Sequence, residues 1–189
     1  GWQSFVGHEP LADDSEFVPY YRRAGGLLCL AHMLGATDLH EENVIAHGAC
    51  PVLIDVETLL QPLAGHERSD DPAADAEELA SGRKARSVLR TMLLPNWRSA
   101  RHADGKEISG LFGGPLYEPI AVRGLIHPNT DAMKMGSVPY KQPATANLPF
   151  LPDRGRDFDF AAVSRALIQG FREMYLFLLA NRDRLLAEE

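Results

Sequence analysis

Five residues carry side chains that could perform phosphoryl-transfer chemistry, and they fall into two groups along the chain. Asp38, His40 and Asn43 form the first group; Asp55 follows Asn43 by twelve residues, with Glu57 two residues further on. In kinases, a loop aspartate orients and deprotonates the attacking hydroxyl, while a loop asparagine and a second aspartate hold magnesium. Magnesium prefers oxygen ligands, a few from protein and the rest from water and phosphate. The spacing therefore predicts a kinase-type site in which Asp38 activates a hydroxyl and Asn43, Asp55 and Glu57 bind magnesium and its nucleotide.

A predicted β-hairpin connects the two groups. Two short apolar runs, 44–46 and 52–54, are separated by the turn-forming sequence His-Gly-Ala-Cys-Pro. A hairpin brings its two ends together, so we expect Asn43 and Asp55 to be neighbours. Alternation along a strand further predicts that Asp55 and Glu57 point to the same side.

A predicted helix over residues 20–34 precedes the first group. The segment is apolar nearly all round, which is typical of a buried helix. Gly25 and Gly26 lower helix propensity, so we expect them where the helix packs closely against a neighbour. Gly35 is a natural C-terminal stop.

The rest of the chain adds one clear element. Apolar residues at spacings of three and four predict an amphipathic helix over about 158–186, capped by Asp157 or Asp159. Residues 87–94 are compatible with a strand or a helix. Residues 96–157 contain much of the Gly and Pro of the chain and show no clear periodicity. So long a region without periodicity is usually functional or mobile. The whole pattern predicts an α+β fold, mainly helical, with a β-hairpin at the active site.

Composition excludes several classes of protein. The 189 residues are 45% hydrophobic, enough for one core. The net charge of −7 argues against a nucleic-acid surface, and no run approaches the roughly 18 apolar residues of a membrane span. Cys29 and Cys50 alone do not form a disulfide framework, so the sequence fits a reducing cytoplasm.

Each polar residue also has a simpler interpretation. Asp and Asn in loops are usually turn and capping residues, but two carboxylates placed to meet the first group are hard to explain by packing, since burying them without a cation is costly. His40 could orient Asp38 or contact phosphate, or it could bond to backbone. A zinc site with His47 or His32 is a weak alternative, because no cysteine spacing supports it.

The sequence blocks 21–28, 37–48 and 51–59 closely resemble the dehydratase domain of class II lanthipeptide synthetases, the LanM type. Further matching blocks are 93–95, 129–133, 147–149 and 170–175. The Asp-x-His-x-x-Asn core alone is shared with small-molecule kinases of the aminoglycoside phosphotransferase type, and the downstream blocks separate the two families.

The resemblance implies a lipid-kinase-like fold and a two-step reaction. The domain would use ATP and magnesium to phosphorylate serines and threonines of a precursor peptide, then eliminate phosphate to leave dehydroalanine or dehydrobutyrine. A separate, zinc-containing cyclase domain would close the rings. Asp38 matches the family's catalytic aspartate, His40 and Asn43 match its companions, and Asp55 and Glu57 match the metal-binding pair.

Elimination in this family needs an arginine and a threonine, and the resemblance points to Arg123 and Thr130. A guanidinium can hold the leaving phosphate with two parallel hydrogen bonds. The simpler interpretation of Arg123 is a solvated loop charge.

The chain also departs from the family pattern. No glycine-rich loop or strand lysine precedes Asp38, and the cyclase ligands are missing. We therefore expect residues 1–189 to form the C-lobe of the dehydratase, with the N-lobe and cyclase supplied by the same parent protein, and to phosphorylate little alone. Two other hypotheses are an aminoglycoside- or sugar-amine-type phosphotransferase, which predicts a compact helical subdomain in place of 96–157, and a non-catalytic, pseudokinase-like peptide-binding module.

Overall fold

The protein combines helices with small antiparallel sheets, which confirms the predicted α+β class. The computed structural model describes residues 4–60, 79, 80, 82–98, 106–113, 120–140, 145–150 and 159–187. Within these ranges, no helix combines the length and the apolar character needed to cross a lipid bilayer.

The first long helix, α1, spans Phe17–Met33 and so begins three residues before the predicted start. Pro19 lies in its first turn, where the missing N–H has no intrahelical partner to lose. The helix ends as predicted, because Gly35 adopts the left-handed conformation with φ 70°. The Gly35 N–H donates to the His32 carbonyl at 3.2 Å and the Ala36 N–H to the Ala31 carbonyl at 2.8 Å, the paired bonds of a Schellman end.

The predicted C-terminal helix is present as two helices, α2 (Phe160–Ala180) and α3 (Arg182–Ala187). Asp159 caps α2 by accepting the Ala162 N–H at 2.9 Å, whereas Asp157 lies outside the described residues. The expectation of one continuous helix is wrong at Asn181, which forms a turn between the two. Its side-chain amide bonds the Phe177 carbonyl at 2.8 Å, the kind of local side-chain bond that competes with regular helix.

α1 and α2 cross in close backbone contact at two glycines, Gly25 and Gly170. A β-carbon at Gly25 would overlap the Leu167 carbonyl, and one at Gly170 would overlap the Arg22 carbonyl. Gly26 of α1 faces the side chain of Met174 on α2 at an ordinary contact distance. The predicted close packing is therefore confirmed at Gly25, and Gly170 is its counterpart on the second helix.

The remaining elements of the described ranges are short. They are a 3-10 helix at Asp14–Glu16, strands β1 (Val44–His47) and β2 (Cys50–Leu53), helical residues at 79, 80 and 82–85, a second 3-10 helix at Val88–Thr91, strands β3 (Trp97–Arg98) and β4 (Lys106–Glu107), and strands β5 (Ile120–Ile126) and β6 (Lys134–Tyr140). The strands pair in order as three antiparallel hairpin-like sheets. Residues 87–94 thus hold a 3-10 helix, which settles the choice between strand and helix.

The first hairpin is the one that the sequence predicted, whereas nothing in the sequence indicated the third. In the first, Val44 lies opposite Leu53 and His47 opposite Cys50. The third, β5 with β6, lies inside the region 96–157. Its strands contain glycine and proline and show no strict alternation of apolar and polar residues, so neither propensity nor pattern indicates a strand.

The core lies between α1, α2 and the first hairpin. Its buried side chains come from segments far apart in sequence, so it joins both ends of the chain to the hairpin. They include Tyr20, Tyr21, Leu28, Leu39, Val44, Leu93, Leu111, Val163 and Leu167.

An ion pair on the rim of the helix crossing has a predictable pH dependence. The Arg22 guanidinium donates two bonds of 2.7 Å to Glu173, and Gln169 adds a third at 3.0 Å. These hydrogen bonds, with that from Arg22 first, lower the pKa of Glu173. A lowered pKa favours the folded state at pH values above the unfolded pKa, and the benefit is lost as pH falls through the folded pKa.

We expect Glu173→Gln to lower stability slightly near neutral pH, because both side chains are about half exposed and solvent screens the pair. The difference from wild type should disappear at an acidic pH below the lowered pKa of Glu173, where the carboxyl is protonated in both the folded and the unfolded state. Urea unfolding at the two pH values measures this, and an equal difference at both would contradict the assignment.

Candidate active site

The Asp38 loop, residues 37–43, is held from behind by backbone bonds to two other segments. The Leu39 N–H donates to the Thr91 carbonyl at 3.0 Å, and the Glu41 N–H donates to the Ile108 carbonyl at 3.1 Å. Leu39 is fully buried and Glu41 is 4% exposed. The loop is therefore anchored through its odd-numbered residues, which leaves the Asp38 side chain exposed.

Asp38 has an unusual backbone conformation that its neighbour supports. Its φ is 61°, in the left-handed region that few non-glycine residues enter, although Asp and Asn do so more readily than others. The Asn43 Nδ2 donates to the Asp38 carbonyl at 2.8 Å and closes the loop. With Nδ2 committed to this bond, Oδ1 is the amide atom of Asn43 that could bind a metal.

The acidic segment, residues 54–60, runs antiparallel beside this loop. The Ile54 N–H donates to the Asn43 carbonyl at 3.1 Å. The Thr58 hydroxyl then donates to the Thr37 carbonyl. The structure therefore brings the Asn43 end and the Asp55 end together, as the hairpin predicted.

Asp55 and Glu57 are both exposed, but strand alternation does not position them. β2 ends at Leu53, so neither residue lies in a strand and the predicted strand geometry at these two positions is wrong. Asp55 Oδ1 instead accepts the Glu57 N–H at 3.2 Å, as in the turns that Asp side chains commonly form. This turn, rather than a pleat, sets the spacing of the two carboxylates.

The donor chemistry of Asn43, Asp55 and Glu57 fits magnesium. One amide oxygen and two solvent-accessible carboxylates suit a cation that keeps several water and phosphate ligands. Across the part of the chain that the structure describes, no group of three or more His, Cys, Asp or Glu side chains is arranged to hold a metal. The zinc alternative with His40 and His47 or His32 therefore has no support in these ranges.

His40 makes a hydrogen bond to a backbone group, as the simpler of its two interpretations predicted. Its Nδ1 accepts the Glu42 N–H at 3.2 Å. Since a backbone N–H can only donate, Nδ1 carries no proton, and the ring in this arrangement is the neutral Nε2–H tautomer. His40 also forms an isolated antiparallel bridge with Ser109. Its Nε2–H remains a possible donor to Asp38 or phosphate.

Arg123 and Thr130 lie on the third hairpin. Arg123 is an exposed residue of β5 opposite Ser137, and Thr130 lies in the connecting loop, where its hydroxyl donates to the His127 carbonyl at 2.9 Å. Among the described residues, no backbone–backbone hydrogen bond joins this hairpin to the Asp38 loop. Their part in elimination remains a prediction.

Asn147 is a supporting residue that the sequence did not single out. It is fully buried, and its Nδ2 donates to the carbonyls of Gly110 at 3.1 Å and Gly113 at 2.7 Å. Its own carbonyl accepts the Tyr20 hydroxyl at 3.0 Å; burial raises the pKa of Tyr20, so that hydroxyl keeps its proton. Asn147 thus ties α1 to the segment behind the Asp38 loop. Its block matched a family motif, but nothing local in the sequence indicates burial.

A cavity of about 700 Å³ lies away from these residues, between α1, α2 and the turn of the first hairpin. Leu27, Leu30, Met174 and Phe177 supply apolar lining. None of the five predicted kinase-type residues lines it. The carboxylates, not the size of this cavity, therefore locate the candidate site.

Comparisons with known proteins agree with the sequence motifs. The family described as "Domain of unknown function (DUF4135)" matches residues 1–189. The chain is also 28% identical over 192 residues to "Lacticin 481/lactococcin biosynthesis protein LcnDR2" of Lactococcus lactis subsp. lactis. That alignment covers 98% of this chain and 20% of the relative, so the chain spans about a fifth of the relative's length. Both matches confirm the predicted resemblance to LanM-type proteins.

Proposed function

Since the chain belongs to the DUF4135 family, we propose that it is the kinase-like C-lobe of a lanthipeptide synthetase dehydratase. The relative named for lacticin 481 biosynthesis supports this class and is about five times as long. An N-lobe and a cyclase domain of the same longer protein would be its partners, together with the precursor peptide, and the reaction would take place in the cytoplasm.

The observation that carries the proposal is the alignment of the acidic segment with the Asp38 loop. The bond from Ile54 to Asn43 and the bond from Thr58 to Thr37 hold the two backbones side by side. The candidate base and the two candidate carboxylate ligands therefore lie on adjacent segments of backbone.

In the first step, the chain's residues prepare a peptide hydroxyl. Asp38 accepts the proton of a serine or threonine hydroxyl while the oxygen of that hydroxyl takes up the phosphoryl group. His40 orients Asp38 or donates its Nε2–H to phosphate, while Asn43, Asp55 and Glu57 would hold magnesium. ATP and magnesium, when bound, supply the phosphoryl group and neutralise the charge that develops on it.

In the second step, the phosphopeptide loses phosphate. A general base takes the α-proton, the electron pair of the C–H bond forms the new double bond, and the bond between the β-carbon and the phosphate oxygen breaks. Phosphate departs with the electrons of the broken bond. Arg123 would bind this leaving group, since a guanidinium pairs with two phosphate oxygens at once, and Thr130 would assist in the same step.

The small-molecule phosphotransferase is the weaker hypothesis. It predicts a compact helical subdomain downstream of the site, whereas the described residues 120–140 form a β-hairpin. The non-catalytic module differs from the dehydratase in one measurable respect, since it would bind the peptide without changing its mass.

Mass spectrometry of the precursor peptide tests the proposal. With the full-length synthetase, ATP and magnesium, we expect peptides that have lost water. Thr130→Ala should instead accumulate phosphopeptide, because the phosphorylation residues are intact while elimination is impaired.

Thr130→Ser is the matched control, since it keeps a hydroxyl that can bond the His127 carbonyl. It should dehydrate the peptide at nearly the wild-type rate. Normal dehydration by Thr130→Ala would remove Thr130 from the elimination step, and an unchanged peptide mass with wild type would sink the dehydratase proposal.

A further inference from the structure

Three hydrogen bonds connect the acidic segment to the end of α1 and the Asp38 loop. The Ile54 N–H donates to the Asn43 carbonyl at 3.1 Å, and the Leu60 N–H donates to the Leu34 carbonyl at 2.7 Å. Between them, the Thr58 hydroxyl donates to the Thr37 carbonyl. The first two bonds use backbone atoms alone and survive any side-chain change, so Thr58 is the side chain in this set on which the connection depends.

The Thr58 bond has a particular place relative to the candidate ligands. Asp55 and Glu57 lie between the bonds made by Ile54 and Thr58. On the facing loop, Asp38 directly follows Thr37, whose carbonyl accepts the Thr58 hydroxyl. The bond therefore closes a small ring of backbone that has the base on one side and the two carboxylates on the other.

The local conformation makes this closure important. Asp55 and Glu57 are exposed and come after the end of β2, so the strand ladder does not hold them. The Glu57 N–H bond to Asp55 Oδ1, at 3.2 Å, orders the turn internally but does not connect it to the loop. Without the Thr58 bond, the five residues from Asp55 to Leu59 would span the gap between the Ile54 and Leu60 anchors with no described bond to the Asp38 loop.

We propose that Thr58 is a positioning residue that sets the distance between the Asp38 base and the Asp55–Glu57 pair. This inference rests on the proposed function, since it assigns Thr58 a role at the same site. Thr58 is half-buried and its hydroxyl is directed at the Thr37 carbonyl, so it acts through the loop rather than by touching substrate or metal.

Two variants distinguish the effect of the Thr58 hydroxyl from the effect of the shape of its side chain. Thr58→Val keeps the β-branched form but leaves the Thr37 carbonyl without its donor, and Thr58→Ser keeps the donor. Both are made in the full-length synthetase. Binding of manganese, as a magnesium substitute, is measured by electron paramagnetic resonance in the presence of ATP, and the rate of peptide phosphorylation is measured as a function of magnesium concentration.

We expect Thr58→Val to weaken manganese binding and raise the magnesium requirement by about three- to ten-fold, in line with the loss of one hydrogen bond. Thr58→Ser should restore both to near wild type. A purely structural role predicts a lower unfolding midpoint with unchanged metal dependence.

The outcomes distinguish this inference from the proposed function. Wild-type metal dependence in Thr58→Val overturns the positioning role, whether or not stability falls. Failure of Thr58→Ser to restore metal binding also overturns it, since the hydroxyl would then not be the group that matters. A wild-type synthetase that binds manganese but transfers no phosphate to peptide overturns the proposed function, while weaker manganese binding in Thr58→Val would still support the positioning role.

Discussion

Asp38→Asn is expected to slow peptide phosphorylation by about 10²- to 10⁴-fold, the usual contribution of a positioned general base. The change removes the group that accepts the hydroxyl proton but leaves the Asp38 carbonyl, and hence its bond from Asn43 Nδ2, in place. The measurement is the initial rate of phosphopeptide formation by the full-length synthetase, followed by mass spectrometry.

Asparagine is a better replacement here than alanine. At φ 61° the backbone of Asp38 is in the left-handed region, which Asp and Asn tolerate better than other residues with a β-carbon. Alanine would therefore change both the charge and the strain of the loop, whereas Asn changes the charge alone. A loss of activity in Asp38→Asn can be assigned to the carboxylate.

Glu42→Gln provides the matched control in the same loop. Its side chain is exposed and has no assigned part in the reaction, and the substitution removes the same unit of charge. The bond from the Glu42 backbone N–H to His40 is unaffected. We expect nearly normal phosphorylation. If Asp38→Asn phosphorylates the peptide as fast as Glu42→Gln, Asp38 is not the base.

Gly170→Ala is expected to destabilise the fold by about 2–4 kcal/mol. A β-carbon at this position would overlap the backbone carbonyl of Arg22 on α1, and backbone atoms cannot rotate away as a side chain can. Alanine improves helix propensity by about 1 kcal/mol, so the overlap should outweigh that gain. Urea unfolding followed by circular dichroism gives the difference.

Gly82→Ala is the control for this substitution. Gly82 also lies in a helical turn, but a β-carbon there meets nothing within 4 Å among the described residues. Its stability should be unchanged or slightly higher, because only the propensity gain remains. A Gly170→Ala protein as stable as Gly82→Ala would mean that α1 and α2 do not cross at these glycines.

Local chemistry made the helices and the first hairpin predictable. Gly35 provides the left-handed residue on which α1 ends, Asp159 caps α2, and the apolar runs 44–46 and 52–54 pair because a turn sequence separates them. Asn181 shows the limit of such reasoning, since an apolar periodicity continues past the point where the helix is interrupted.

The sequence predicted which residues form the candidate site but not the contacts that hold them in place. Asp38 and Asn43 belong to a motif within six residues, and the hairpin explains why Asp55 lies near them. The contributions of Asn147 and Thr58 depend on contacts across 34 and 21 residues of sequence, with Gly113 and Thr37 respectively. No periodicity or motif encodes such distant pairings.

By itself, the sequence determined which residues could perform the chemistry, their order around a hairpin, and the family to which the chain belongs, because each of these depends on residue type and short-range spacing. Only the tertiary structure decided how those residues are held. It placed Asp38 in a left-handed conformation, replaced the expected strand at Asp55 and Glu57 by a side-chain turn, and joined the two groups through Thr58. The physical reason is that the backbone N–H and C=O groups of the loops have no partners in a helix or sheet. They therefore form hydrogen bonds with the groups that the tertiary packing places beside them.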